Sequence, residues 1–432
     1  QVQMVCGEAH QIVHNPKKKS RETPLSANST KNDRVVIAGA GPVGVTAAYA
    51  LLRQGIPVLL LESYADLPTD PRASTFHPPT MERLESLDVA EELHGMGIEV
   101  PKWQFRDLKK GLVAEFDLSI LGDITRYPFR LHCEQHKYAR MLLSKVEKMD
   151  GCEIRKSRTV TGARSEENGV SVTVDGPNGP EKVTGRYLIG CDGGKSVVRH
   201  AMGVSFEGLT FEERFLVLTT PFDYTDHGFR GTCYIADPDR WYSMFKVPAE
   251  GPPGRWRVVS PVEPTVDEAD AFDDDACQER IQAVMPHPDG GAFPIIHKNI
   301  YQVHQRIAGR FAVGNVFLAG DAAHINNPLG GMGLNFGIHD ALNLTEKMVA
   351  VYRGEASDDI FALYDRQRRT VAEEYLLAQT AQNKRDLEES DPESRAQRQK
   401  EWRETADNPE AAREFLLRTA MFKSVERERS IQ

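Results

Sequence analysis

The 432-residue chain lacks several things, and each absence narrows what it can do. No apolar run approaches the ~18 residues that a membrane-spanning helix needs. Cysteine is scarce: Cys6, Cys133, Cys152, Cys191, Cys233 and Cys277 are widely spaced, and no C-x-x-C occurs. Such spacing excludes a zinc ribbon or a disulfide framework and reads as reduced thiols in a cytoplasmic protein. Positive charge is in deficit, with 53 Lys and Arg against 63 Asp and Glu, for a net charge of -10. That balance argues against nucleic acid as a partner and serves chiefly solubility. There is no internal repeat, no convincing hydrolytic triad and no metal-binding cluster. His297, His304 and His324 read as structural histidines, and no metal is expected.

What is present is organised around Val35 to Glu62. The apolar run Val35-Val36-Ile37-Ala38 reads as a buried parallel strand. Gly39, Gly41 and Gly44 follow at the spacing G-x-G-x-x-G. The first glycine permits a tight turn, the second lets backbone approach a pyrophosphate, and the third lets a helix pack close to the strand. Pro42 suits the first helical turn, where a missing N–H costs nothing. A second strand, Val58 to Leu61, ends at Glu62, a carboxylate placed to accept from a ribose hydroxyl. Strand, glycines, helix, strand and acid in this order predict a bound dinucleotide at the helix N-terminus.

Residues 1–33 are polar, with a basic run at Lys17 to Arg21 and no apolar core for a signal peptide, and read as a flexible arm. Tyr64 to Pro79 is a loop containing Arg72; Met81 to Leu93 has helical spacing, and another helix starts near Gln135. Two further stretches repeat the theme of an apolar strand ending at an acid. In one, Tyr187 to Gly203, an apolar strand runs into Asp192-Gly193-Gly194, a turn that Ser196 could also simply cap. In the other, Val316 to Met348, an apolar strand ends at Gly320-Asp321, then a loop with Pro328, Gly330, Gly331 and Gly333 leads to a helix near Leu334. An acid at a strand end can bind sugar hydroxyls, and a glycine loop entering a helix offers bare N–H groups. Residues 205–306 are strand-like and aromatic, with a hairpin turn at Asp237 to Arg240 and an acidic helix from Val266 to Met285. After residue 350 the chain is helical and charged, reading mostly as a solvated face.

Together and in this order, the three stretches resemble the single-component flavin-dependent aromatic hydroxylases, the group typified by para-hydroxybenzoate hydroxylase and phenol hydroxylase, over Arg34 to Tyr375. The resemblance implies an α/β fold. A Rossmann-like FAD-binding domain of the GR2 type would span 34–204 and 307–375. A substrate-binding β-sheet domain would be inserted at 205–306, with parts of 100–130 open to either domain. A helical C-terminal segment, 376–432, lies beyond the resemblance. By position, Gly39, Gly41, Gly44 and Glu62 would hold the ADP portion of FAD, and Arg72 and Gln135 would reach the cofactor. Asp192 and Gly193 would serve FAD and the nicotinamide donor, and Gly320 and Asp321 the ribitol. The loop Pro328 to Asn335, with Gly331 and Gly333, would lie beside the isoalloxazine, its Leu334 and Asn335 N–H groups near the pyrimidine carbonyls. Met332 stands where some relatives carry a lysine.

The implied reaction uses NADPH or NADH to reduce FAD and O2 to form a flavin C4a-hydroperoxide. One oxygen then passes to a small electron-rich aromatic, phenolic or heteroaromatic. The protein must polarise the substrate's hydroxyl or amino group and keep water out. The backbone carbonyl at Pro328 and the phenol of Tyr242 are the candidates for orientation, and Tyr234, Tyr242, Met244 and Phe245 for the pocket. Alternation puts Trp241, Ser243, Phe245 and Val247 on one strand face and Tyr242, Met244 and Lys246 on the other; either face could line the cavity. Epoxidation, N-hydroxylation or oxidative decarboxylation on the same fold are alternatives, as is a dinucleotide-binding redox module without oxygen chemistry. Oligomeric state is open, a homodimer being the form common in the group.

Overall fold

The computed structural model describes residues 33–69 and 73–432; the arm up to residue 32 and Arg72 lie outside them. The three apolar runs that carry the motifs become neighbours. Val35–Ala38, Tyr187–Gly190 and Val316–Leu318 lie side by side and parallel, Ala38 opposite Gly190 and Gly190 opposite Leu318. Each is buried on both faces, which is why each reads as an unbroken apolar run. Val58–Leu61 and Cys152–Arg155 continue the sheet on one side, and Ala312–Val313 closes the other edge antiparallel. Because the strands are parallel, all three motif turns emerge at one carboxyl edge. The strand order changes direction at Val35–Ala38, and the crevice at such a switch point is where α/β sheets bind ligands.

A second sheet has eight strands in the order His324–Ile325, His297–Ala308, Phe206–Thr220, Arg255–Val262, Tyr242–Val247, Thr232–Ala236, Lys102–Asp107 and Gly111–Asp117. Of the strands from 100–130, Lys102–Asp107 thus pairs with Thr232–Ala236, and Gly111–Asp117 pairs with Lys102–Asp107 at the edge. The edge strand His324–Ile325, just after Gly320-Asp321, ties this sheet to the third motif. Alternation divides the sheet into two packed faces: Trp103, Phe105, Phe215, Tyr234 and Trp241 on one, Cys233, Ile235, Tyr242, Met244 and Trp256 on the other. Asp237 makes the expected hairpin turn, its Oδ1 accepting from the N–H groups of Asp239 at 3.0 Å and Arg240 at 3.1 Å.

Three expectations change. The helix around Met81 to Leu93 is two helices, Pro78–Ser86 and Ala90–Gly95, broken where Asp88 takes φ 58. The acidic helix is also two pieces, because Asp273 starts the second by accepting from Ala276 N–H at 3.0 Å. The charged C-terminal segment is no solvated face. Its helices Pro392–Asp407 and Pro409–Thr419 start with proline behind the side-chain caps Asp391 and Asn408. Trp402 stacks on Phe105, with centroids 3.9 Å apart, and Phe415 packs on Phe116 at 4.6 Å. A few apolar side chains in a polar run are enough to lay these helices over one face of the eight-stranded sheet.

Candidate active site

The crevice at the carboxyl edge is built from backbone. Gly39 has φ 99, and a Cβ there would sit 2.5 Å from the Cys191 carbonyl oxygen. A Cβ on Gly44 would fall 1.9 Å from Gly39 O, so only glycine lets the helix Pro42–Leu52 meet its own turn. At Gly41 a Cβ would meet nothing within 4 Å, which leaves that backbone open to the crevice. The first helical bond runs from Val45 N–H to Gly41 O, so the Val43 and Gly44 N–H groups have no intrahelical acceptor. Glu62 is 6% exposed. Its Oε2 accepts from Ala40 N–H at 2.7 Å and its Oε1 from Tyr64 N–H at 2.9 Å, which fixes the acid beside the glycine turn. These features fit the ADP portion of a dinucleotide: open backbone, unpaired N–H groups and a positioned carboxylate.

The second motif is engaged differently. Asp192 Oδ1 accepts from Ser196 Oγ at 2.5 Å, and Oδ2 accepts from the N–H groups of Val197 at 2.8 Å and Val198 at 3.1 Å. Asp192 therefore caps its own turn, while the backbone at Gly193, φ 78, is open with nothing within 4 Å of a Cβ. Arg199 joins this turn to the third motif, donating to Ala322 O at 2.9 Å and Gly194 O at 2.8 Å. Gly320 takes φ 64, and Asp321 is exposed at the edge beyond it. Gln135 opens its helix with its N–H on Ala73 O, and that helix packs on the glycine helix through Tyr138 and Thr46, whose hydroxyls lie 2.8 Å apart.

The glycine loop is pinned by Asn335. Its Oδ1 accepts from His77 N–H at 2.8 Å, and its Nδ2 donates to Thr75 O and Gly331 O, each at 2.8 Å. His77 Nε2 donates to Gly330 O at 3.0 Å, which fixes the neutral tautomer with a bare Nδ1. Burial, with Arg130 nearby, drops the His77 pKa to about 3. A Cβ on Gly331 would strike Thr75 and one on Gly333 would strike Asn326. The first bond of the helix Gly333–Tyr352 is Phe336 N–H to Met332 O, leaving the Leu334 and Asn335 N–H groups without helical acceptors. Such donors fit the acceptor edge of a flavin ring. Pro328 is exposed, and its carbonyl accepts from Gly331 N–H at 3.0 Å within the loop turn.

Gly330 and Met332 of this loop form one wall of a cavity. Opposite them stand Trp103, Phe105 and Tyr234 from the eight-stranded sheet and Phe415 from the C-terminal helices. Arg130, with Gln379, Asn383 and Thr419, completes the lining. The enclosed cavity is small, ≈ 20 Å³. A ring-sized ligand needs roughly 150 Å³, so side chains of the lining must turn aside to admit an aromatic ring.

With this geometry in view, the likenesses to known proteins are direct. Residues 32–379 match the family described as FAD binding domain. Para-nitrophenol 4-monooxygenase of Pseudomonas sp. (strain WBC-3) is 31% identical over 386 residues, 89% of this chain and 94% of that protein. The chain belongs to the FAD-dependent aromatic hydroxylases. A 3-(3-hydroxy-phenyl)propionate/3-hydroxycinnamic acid hydroxylase of Mycolicibacterium smegmatis is 34% identical over 338 residues, 78% of this chain and 58% of that protein. The crystal structure of p-nitrophenol 4-monooxygenase PnpA from Pseudomonas putida DLL-E4 has a TM-score of 0.85 at 30% identity, covering 91% of this chain and 98% of that one. Like these relatives, this hydroxylase is an aromatic monooxygenase built on an FAD-binding domain, which sets aside the redox module without oxygen chemistry. No helix among its described residues is long and apolar enough to cross a membrane.

In this hydroxylase the pocket expectations divide. Tyr234 lines the cavity, in edge contact with Trp103 at 5.8 Å. Phe245 packs on the cavity side of the sheet without lining the cavity. Tyr242 and Met244 are corrected: they lie on the opposite face, 1% and 0% exposed, in a core with Tyr224, Trp256 and Ile281. Alternation predicted the division, and only the packing of the helix Asp274–Val284 on that face decided which side is core. The sequence reading missed Trp103, Phe105, Arg130 and Phe415. A signal existed for Arg130, a charge inside the apolar run Phe129-Arg130-Leu131.

Proposed function

We propose that this hydroxylase takes electrons from NADH or NADPH and inserts one atom of O2 into a small, single-ring, electron-rich aromatic, phenolic or heteroaromatic. The carrying observation is that the aromatic cavity shares Gly330 and Met332 with the loop that heads the helix Gly333–Tyr352. Bound FAD supplies the redox chemistry, accepting reducing equivalents and activating oxygen. Gly39, Gly41, Gly44 and Glu62 would hold its ADP end, Gly193, Gly320 and Asp321 its middle, and Gly331, Gly333, Leu334 and Asn335 its ring edge. Trp103, Phe105, Tyr234 and Phe415 hold the substrate ring and exclude water from it. The buried Asn335 and His77 keep the loop in one conformation, so that ring and cofactor meet at a set distance. The relatives' names, a nitrophenol and a hydroxyphenyl propionate, support a single phenolic ring.

The test is anaerobic flavin reduction by NADPH and by NADH, alone and with a panel of phenols, aminophenols and hydroxylated heterocycles. One compound that accelerates reduction and is recovered with a mass increase of one oxygen supports the reading. Fast reduction that no aromatic alters, with hydrogen peroxide as the sole product, would overturn it.

A further inference from the structure

The cavity contains two hydrogen-bond donors that the protein leaves unanswered. Arg130 is 3% exposed, and its Nε–H has no partner. Trp103 is 2% exposed, and its Nε1–H has none either. The guanidinium is stacked over the Trp103 ring, 4.7 Å from its centroid, so the pair is held as a unit. Three other buried arginines are answered: Arg199 by two carbonyls, Arg280 by Ser260 and a carbonyl, Arg368 by two carboxylates. Beside Arg130 stands the Tyr234 phenol, which meets the guanidinium in a side-chain hydrogen bond. Burial lowers the Arg130 pKa, and Tyr234 only partly opposes this. A desolvated guanidinium that meets a phenol but no carboxylate and keeps its Nε–H unanswered, and an indole N–H without a partner, both on residues lining one cavity, fit a ligand that brings acceptor oxygen and negative charge.

We propose that Arg130 and Trp103 form an anion subsite, and that the aromatic occupies the cavity as an anion, a phenolate or ring-bound carboxylate whose oxygen accepts from these donors. This rests on the cavity being the substrate site. A phenolate held there is also the electron-rich form of a phenol, so the subsite would activate as well as orient.

The test is equilibrium titration of the FAD-loaded enzyme, followed by flavin absorbance and by tryptophan fluorescence. Matched pairs separate charge from shape: ionised 4-nitrophenol against 4-nitroanisole for the phenolate arm, benzoate against benzamide for the carboxylate arm. A hydrogen bond to a charged group corresponds to about tenfold or more in Kd. The expected result is that the anion of at least one pair binds about tenfold tighter or better, and that Arg130→Met removes this preference. Trp103→Phe, which keeps the stacked ring, should reduce it partly. Should neither Arg130 variant nor Trp103 variant fold, the pH dependence of 4-nitrophenol binding to the wild type decides: affinity must rise with the phenolate fraction. Equal affinity within both pairs, or an intact preference in Arg130→Met, would sink the anion subsite while leaving the hydroxylase reading standing. Failure of every aromatic, charged or neutral, to bind would overturn both.

Discussion

Arg368 and Arg130 are both buried guanidinium groups, 2% and 3% exposed, in opposite surroundings. Arg368 lies under the long helix Gly333–Tyr352. Its Nε donates to Asp340 Oδ1 at 2.6 Å, its Nη1 pairs with Glu428, and its Nη2 donates to Phe336 O. Asp340 in turn accepts from Gly320 N–H at 3.0 Å and from His324 Nε2 at 2.7 Å, while Glu428 meets Arg83 at 2.9 Å. This chain of charges ties the last helix, Phe422–Ser430, to the third cofactor motif. Burial pulls the Arg368 pKa down, yet Asp340 and Glu428 leave it raised, whereas that of Arg130 is lowered. A buried cation surrounded by fixed carboxylates is structural; one that meets a phenol and a cavity wall but no carboxylate is poised for a charge the chain does not supply.

The largest effect should follow removal of the structural cation. Arg368→Met leaves Asp340 and Glu428 buried without their counter-charge and should cost ~3–5 kcal/mol, read as a lower urea midpoint and loss of retained FAD. Arg130→Met should do the reverse: aromatic binding weakens by about tenfold or more, while the urea midpoint holds or rises. A midpoint drop matching that of Arg368→Met would erase the distinction between the two sites.

Acid sharpens it further. Burial pushes Glu428 up, but Arg368 and Arg83 outweigh that and hold its pKa down to about 2. A carboxylate depressed in the fold contributes stability above its unfolded pKa, and that contribution fades as pH falls from about 4.5 towards 2. Melting curves of Glu428→Gln should therefore lose that part of the acid dependence. At milder pH, burial drops the His132 pKa to about 4, and His77 behaves alike. The unfolded chain takes up these protons below about 6.5 and the folded chain refuses them, so stability should decline from pH 7 towards 4 in wild type and Glu428→Gln alike. The smallest effect belongs to Tyr242→Phe, on the far face of the sheet. Oxygen coupling and substrate affinity should stay unchanged, with stability altered by no more than ~1 kcal/mol; a rise in uncoupled peroxide would return Tyr242 to the site.

Much of the nucleotide half was legible because its signals are local. A tight turn, a close helix approach and a buried parallel strand each demand particular residues at fixed offsets, as Gly39, Gly44 and Val35 to Ala38 show. The eight-stranded sheet was legible only as alternation. Period two places Tyr242 and Tyr234 on opposite faces through their cross-strand pairing, yet gives both faces similar apolar character. Asp192 marks a limit of motif reading: the acid stands where expected, but its carboxylate is taken up by the turn it initiates.

By itself, then, the sequence determined the dinucleotide crevice, the order of its three motifs and the glycine loop, since each depends on chain-local geometry. Only tertiary structure decided which sheet face borders that loop. It also turned a charged C-terminal segment into a cavity wall through Phe415, and left Arg130 without a carboxylate where Arg368 gained two. Those outcomes depend on residues hundreds of positions apart meeting in space, and a buried charge acquires its meaning from what is packed against it.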